Sequence, residues 1–332
     1  NTFNNTAPNG IHIRARGIAD DSTFDWESYW NDNTFNKAVI VGQADGPVND
    51  PLPVAMALRM ISANTTDGSF NDGSGAVQYA PGFDAEFNAV TVANDKIYLA
   101  GTVGLNVGGG NQGTDIFVMV RNADGTPDTD FGANGWTHAE FPFIGILEAH
   151  AREIAVDPYG RVVVGGAAYD SYGRFQVVRF TAAGDLDDSF GGDGRQTIVA
   201  GLGDDFLSFG GMAVDRFSRV VLVGKATIDT GSRLVVVRLT PAGELDTSFG
   251  GGDGIADFAY GATDDIVSVA DVVALSPPSD RLAILGVYDP ADPDLAADEA
   301  PGAALAFTAK QIAGSVEGPR AGVLALDADG DG

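Results

Sequence analysis

Val177-Val178-Arg179-Phe180-Thr181 followed by Gly184-Asp185-Leu186-Asp187-Asp188-Ser189-Phe190-Gly191 returns, 59 residues on, as Val236-Val237-Arg238-Leu239-Thr240 followed by Gly243-Glu244-Leu245-Asp246-Thr247-Ser248-Phe249-Gly250. The stretch before it repeats as well. Ala155-Val156-Asp157-Pro158-Tyr159-Gly160-Arg161-Val162-Val163-Val164-Gly165 returns as Ala213-Val214-Asp215-Arg216-Phe217-Ser218-Arg219-Val220-Val221-Leu222-Val223-Gly224. Working outward, the Phe marker recurs at Phe3, Phe70, Phe131, Phe190 and Phe249, and a Gly that ends an apolar run recurs at Gly42, Gly101, Gly165, Gly224 and Gly286. A fixed period of this kind means that each copy is one supersecondary unit which buries its apolar faces only by stacking on its neighbours. The count is five modules of about 60 residues.

Within a module, Val/Ile/Leu/Ala runs of four to seven residues are broken by Gly, Asp and Pro, and no long stretch has helical periodicity. The clearest copy predicts strands at 152–156, 161–165, 174–180 and 195–200. Its first turn, Asp157-Pro158-Tyr159-Gly160, suits a hairpin, because Pro presets φ and Gly accepts a positive one. Four-stranded antiparallel sheets stacked face to face are best closed radially, which removes the exposed end faces. The expected fold is therefore all-β: a five-bladed β-propeller of four-stranded antiparallel blades, one domain over residues 1–332, with module five irregular at 287–332.

Composition bounds the function. Thirty-eight Asp and 8 Glu stand against 15 Arg and 4 Lys, a formal charge of −27 that repels phosphate backbones and anionic lipid at long range. Nucleic acid is excluded as a natural partner. No apolar run approaches the roughly 18–20 residues of a membrane-spanning helix, so helical membrane insertion is excluded too. The absence of Cys removes disulfides and thiolate chemistry. The chain starts at Asn1 with neither Met nor a basic-then-apolar leader, so a removed targeting segment or a longer parent polypeptide is expected, with an extracellular or cell-surface location.

The run Leu-Asp-x-Ser-Phe-Gly-Gly-x-Asp-Gly at 245–254 and its shorter form at 186–194, with the Asp-x-x-Gly-Arg-Val-Val-Val-Gly-Gly pattern at 157–166, resemble the signature of the delta-60 repeat family. The likeness is close in modules three and four, moderate in module two and faint in modules one and five. It implies propeller-like blades of secreted or surface-attached bacterial proteins, usually without an assigned enzymatic activity.

Propellers commonly join their ends in one blade built from both termini. Asn1-Thr2-Phe3 starts in mid-signature, and Val323-Leu324-Ala325-Leu326-Asp327-Ala328-Asp329-Gly330 matches Val118-Met119-Val120-Arg121-Asn122-Ala123-Asp124-Gly125. On this reading the closing blade is shared, with residues 11–17 as the last strand of the blade begun near 268. On the rival reading Leu305-Ala306-Phe307-Thr308-Ala309 is the third strand of module five and 320–326 an extra or closing strand. Completion of the blade by a second subunit would generate a filament.

Two sets of carboxylates invite a metal reading. Asp20 and Asp21, Asp204 and Asp205, and Asp264 and Asp265 each follow a Gly by three and four residues, before the first strand of a module, with looser copies at Asp84 and Glu148. On one face of a propeller they would supply the hard oxygen ligands Ca²⁺ takes. As ordinary loop residues they would instead accept hydrogen bonds from loop amides, and because they track the repeat this reading takes precedence. The tail Asp327-Ala328-Asp329-Gly330-Asp331-Gly332 offers Asp327, Asp329 and Asp331 on a calcium-type loop.

No catalytic constellation stands out. His12, His138 and His150 are non-equivalent in the repeat. Gly108-Gly109-Gly110-Asn111-Gln112-Gly113 precedes a strand rather than a helix, unlike a dinucleotide site. The aromatics Phe24, Trp26, Tyr29 and Trp30 depart from the repeat, with core packing as their first reading. Segments 43–53, 102–114, 167–173, 225–232 and 287–302 vary most between modules and read as recognition loops. The expectation is a non-enzymatic structural or adhesive protein that self-associates or binds a cell surface or polysaccharide, joined as a filament by strand complementation. The alternative is a calcium-dependent polysaccharide-binding module, and a carbohydrate-active hydrolase or lyase comes third.

Overall fold

The computed structural model describes residues 11–15, 26–31, 37–44, 54–62, 65–79, 84–106, 112–140, 148–169, 173–199, 206–228, 231–258, 266–274, 281–288 and 304–308. The chain divides into two compact units: Asn1–Val156 with Gly160–Val164 and Phe180–Leu186, and Asp157–Tyr159 with Gly165–Arg179 and Asp187–Gly332. Every described element is a strand. Among the described residues no helix is long and apolar enough to cross a membrane.

In the first unit β1 (Ile11–Ala15), β2 (Trp26–Asn31), β3 (Lys37–Ala44), β4 (Val54–Ser62) and β5 (Thr65–Thr66) lie in that order in one antiparallel sheet, with β6 (Ala76–Tyr79) also paired to β4. A four-stranded antiparallel sheet follows, made of β7 (Ala85–Ala93), β8 (Lys96–Asn106), β9 (Gln112–Asn122) and β10 (Trp136–Ala139). Module three, with β11 (Glu148–Val156), β12 (Val162–Tyr169), β13 (Gly173–Phe180) and β14 (Arg195–Ile198), contributes to both units. The second unit holds the antiparallel meander β15 (Phe206–Val214), β16 (Val220–Ile228), β17 (Gly231–Leu239) and β18 (Ile255–Phe258). It also holds β19 (Ile266–Ala274), β20 (Arg281–Tyr288) and β21 (Ala304–Thr308), three strands among the described residues.

Sheets pack face on face, as the repeat requires. In the first unit Val39, Val41, Ala55, Ala57 and Val77 of one module bury against Phe87, Leu99, Phe117 and Met119 of the next. In the second, Val221, Val223, Leu234 and Val236 meet Val272 and Ile284. Inner strands are covered on both sides, so they read as continuous apolar runs; Val162–Ala168 is buried without interruption. The outermost strands β6, β10, β14 and β18 have four residues each. Short edges offer little template for pairing with another chain.

Three sequence readings need correction. The recurrent Gly does not end its strand: Gly101 and Gly224 lie inside β8 and β16, facing Phe87 and Phe209, where the partner strand bulges before Ala89 and Gly211. A Cβ there would stand 2.2 Å from the Glu86 carbonyl oxygen and 2.1 Å from that of Ser208, so the bulge demands Gly and the strand runs on through it. Consequently most of 102–114 and 225–232 is ladder, with pairs reaching Asn106↔Gln112 and Ile228↔Gly231.

The N-terminal strand is the third. β1 pairs with β2, from Ile11↔Trp30 to Ala15↔Trp26, and does not complete the sheet of β19. A connection across ten residues closes at lower entropic cost than a return across some 250. The third strand of module five is β21, paired with β20 from Arg281↔Thr308 to Leu285↔Ala304, which agrees with the rival reading of 305–309.

Candidate functional site

The residues that define the repeat converge on one recurring site, a latch. At the end of the third strand a buried arginine, Arg59, Arg179 or Arg238, lies over the ring of Phe70, Phe190 or Phe249 at 4.3, 4.6 and 4.6 Å. Its Nε donates to an aspartate eight residues on: Asp67, Asp187 or Asp246, each at 2.7 Å. The second carboxylate oxygen accepts the Ser69, Ser189 or Ser248 hydroxyl at 2.7, 2.6 and 2.6 Å. It also caps the amide of the same serine. The Leu-Asp-x-Ser-Phe-Gly string is the sequence image of this network: Asp supplies both acceptors, Ser closes the Asx turn and Phe floors the guanidinium.

The latch then reaches the next module. Arg59 Nη1 donates to the Ala123 carbonyl, and Arg179 Nη1 to that of Pro241 at 2.6 Å. The amide after each Phe marker donates to the same turn: Asn71 to Asp124 at 2.7 Å, Gly132 to Ala183 at 2.7 Å and Gly191 to Ala242 at 2.8 Å. The turn glycines Gly125, Gly184 and Gly243, at φ +92°, +90° and +81°, lie flat against Phe70, Phe131 and Phe190, and a Cβ would overlap them or the donating amide.

Charge is held in place here. Burial works against ionisation of Asp187, but the Ser189 hydroxyl, the Arg179 charge and the Ser189 amide outweigh it, so the carboxyl sits below its ordinary 3.8. Asp246 behaves alike, with Ser248 and Arg238 as its partners. A carboxylate held ionised in this way is suited to structure and opposed to general-acid catalysis.

Module two departs from the pattern. Val120 occupies the arginine position and Asp130 the serine position, and Asp128 is paired instead with Lys96, which reaches across from the β7–β8 turn at 2.5 Å. Lys96 is raised above its ordinary value chiefly by that hydrogen bond, against a smaller opposing effect of burial.

The proposed calcium ligands Asp20, Asp21, Asp204, Asp205, Asp264, Asp265, Asp327, Asp329 and Asp331 lie outside the described residues. Of the looser copies, Asp84 uses its main-chain carbonyl to accept the Gly104 amide at 2.7 Å, and Glu148 opens β11 opposite Thr114. No group of three His, Asp or Glu with metal-site spacing occurs among the described residues. His138 stacks on Trp136 at 5.7 Å and stands 3.5 Å from Glu140, at the end of an aromatic series running through Tyr79, Phe117 and Phe87. Trp26, Tyr29 and Trp30 lie on β2, and Phe24 is outside the described residues.

Sequence reasoning missed two exposed aromatics at equivalent hairpin tips, Tyr159 at 74% and Phe217 at 48% exposure. Phe217 lies between the Arg216 and Arg219 guanidiniums, 4.4 and 5.1 Å from its ring centre. The quoted repeat contained the signal: both tips align, and both carry an aromatic where a polar turn residue would serve.

All-β architecture, four-stranded antiparallel sheets and a repeat-encoded latch together define an all-β repeat protein of propeller-like blades. Residues 160–190 and 219–249 match the family described as Domain of unknown function (DUF5122) beta-propeller. No curated protein sequence matches the chain. Among solved structures, a protein of unknown function from Dyadobacter fermentans DSM 18053 is similar at 12% identity and TM-score 0.46, over 92% of this chain and 84% of that one. A mutant of Trypanosoma rangeli sialidase displaying trans-sialidase activity is similar at 11% identity and TM-score 0.40, over 84% of this chain and 48% of that one. An exo-1,5-alpha-L-arabinanase from a bovine ruminal metagenomic library is similar at 10% identity and TM-score 0.39, over 83% and 90%.

These likenesses assign no activity, but they correct one expectation. The chain was expected not to be an enzyme because no catalytic motif stands out in its sequence, whereas the structures it is similar to include glycoside-acting enzymes. Fold and missing motif therefore give no ground for excluding catalysis.

Proposed function

We propose that the chain is a single five-bladed β-propeller over residues 1–332, of the delta-60 kind, acting outside the cell or at its surface as a structural or adhesive scaffold. The observation that carries this reading is the latch: in three modules the signature Arg, Asp, Ser and Phe are all engaged in fixing the module itself or joining it to the next. A sequence constraint spent on joints favours a scaffold whose recognition surface lies elsewhere. Self-association draws on the module-five blade, whose following segment Val323–Gly330 is similar to Val118–Gly125 of module two. A strand supplied by a neighbouring copy completes that blade and propagates a filament. Sedimentation velocity and negative-stain electron microscopy over a range of concentrations test this. Linear oligomers that lengthen with concentration are expected, and a monomer at every concentration overturns the self-association.

A second reading, polysaccharide binding, is favoured by one observation, the aligned exposed aromatics Tyr159 and Phe217. Aromatic faces stack on sugar rings, and the Phe217 ring is flanked by Arg216 and by Arg219, the latter paired with Asp215 at 2.6 Å. Calcium at the Asp20, Asp205 and Asp265 loops would be a separate contribution, because Asp205 precedes β15 and Phe217 follows it, at the other end of that strand. Glycan-array binding that is lost in Phe217→Ala and in chelator supports this version. Binding indifferent to both refutes it.

A further inference from the structure

The latch is not equally strong at every joint. Joints after modules one and three have two donors gripping the following turn, the arginine Nη1 and the backbone amide after the Phe marker. After module two the guanidinium is missing because Val120 replaces it, and Gly132 N→Ala183 O alone remains of the pair. The Phe131 ring is as buried as Phe70, yet no guanidinium covers it among the described contacts.

Two further substitutions weaken the same site. Ser becomes Asp130, so the hydroxyl that bridges arginine and aspartate in modules three and four is replaced by a second carboxylate beside Asp128. The compensating cation, Lys96, satisfies Asp128 from within its own module, and its side chain is 33% exposed against 1% for Arg179 and 8% for Arg238. An exposed pair is screened by salt, and a buried one is screened much less.

We infer that the joint from module two to the turn of module three is a built-in opening point, gripped by the Gly132 amide alone and backed by a salt-sensitive lysine pair in place of the buried arginine latch. The molecule opens there first, at Gly132–Ala183, while the Asn71–Asp124 and Gly191–Ala242 joints stay closed. Opening frees the 181–184 turn without breaking any strand ladder of module two.

Site-resolved hydrogen–deuterium exchange on the whole chain tests this. One charge-assisted hydrogen bond fewer corresponds to about ten-fold in opening, so the Gly132 amide exchanges about that much faster than the Asn71 and Gly191 amides. Raising the salt from low to high widens the gap, because only the Lys96 pair is screened. Lys96→Met speeds Gly132 exchange and leaves Asn71 unchanged, and the double variant Lys96→Ala, Val120→Arg restores protection toward that of Gly191. Equal or slower exchange at Gly132 than at the other two amides in the unaltered protein overturns the inference, whether or not the variants fold.

Discussion

Asp187→Asn is the sharpest perturbation of the latch, because it removes a charge with almost no change of shape. The Arg179 side chain is 1% exposed and Asp187 10%, and Arg179 spends its donors on Asp187 Oδ2 at 2.7 Å, Pro241 O at 2.6 Å and Ser189 Oγ at 3.0 Å. In Asp187→Asn the amide oxygen can still cap Ser189, which places an NH₂ group where Oδ2 accepted from Nε, donor against donor. Breaking a buried pair by removing one partner costs about 3–5 kcal/mol, since the remaining charge stays desolvated. The control is Asp193→Asn: its partner Arg195 lies 3.6 Å away, Asp193 is 59% exposed, and an exposed pair is worth about 0–1 kcal/mol. Urea unfolding followed by far-UV circular dichroism compares the two. A midpoint shift in Asp187→Asn several times that in Asp193→Asn is expected, and equal shifts would refute the claim that the latch holds the modules together.

Further expectations follow from the same geometry. Asp187 and Asp246 titrate below their ordinary 3.8 in the folded chain, so their stabilisation is complete above that value and drains away as pH falls from it through the lower folded value. Arg179→Met should accordingly flatten the loss of thermal stability between neutral pH and pH 3, read by calorimetry. Gly243→Ala puts a Cβ 2.8 Å from the Gly191 amide and the Phe190 ring at φ +81°, whereas Gly192→Ala, at φ +89°, meets nothing within 4 Å. The second substitution should cost about 1 kcal/mol for backbone alone and the first clearly more, measured as the difference in unfolding midpoints. If the Asp20, Asp205 and Asp265 loops hold calcium, melting rises with calcium and falls with chelator. An unchanged melting curve removes that proposal.

How far the sequence could be read depended on where each constraint acts. The strands of module three were legible to within a few residues because apolar runs and turn residues are local signals, and 174–180 and 195–200 became β13 and β14. Gly101 and Gly224 were misread as strand ends because a bulge is specified by the partner strand, which a single run does not display. The exchange of Arg for Lys96 was hidden for a similar reason: its partner Asp128 lies 32 residues away and is met only through the β7–β8 turn. The terminal match between Val323–Gly330 and Val118–Gly125 suggested a shared blade, but β1 took the nearer partner, β2. Sequence similarity reports which strands are equivalent; which of them pair is decided by chain distance and by the ladder available.

The latch also narrows where chemistry is to be sought. A glycoside hydrolase needs one carboxylic acid that stays protonated near the working pH and a second that is ionised. Asp187 and Asp246 are pushed the opposite way and are walled in by Arg, Ser and Phe, so neither can donate a proton to a leaving group. Asp67 shares their place and partners. Asp187 and Asp246 are thereby removed from the general-acid role by their environment, whatever the chain turns out to bind. A general acid is to be sought among acids that break the repeat or sit between the latches, where charge is not already consumed by a neighbouring arginine. Replacing the Asp204 and Asp205 pair with Asn, leaving every latch intact, separates the two roles: turnover on polysaccharide that disappears while the urea midpoint is unchanged would locate chemistry in those loops. A midpoint that falls with the substitution would instead make them one more joint.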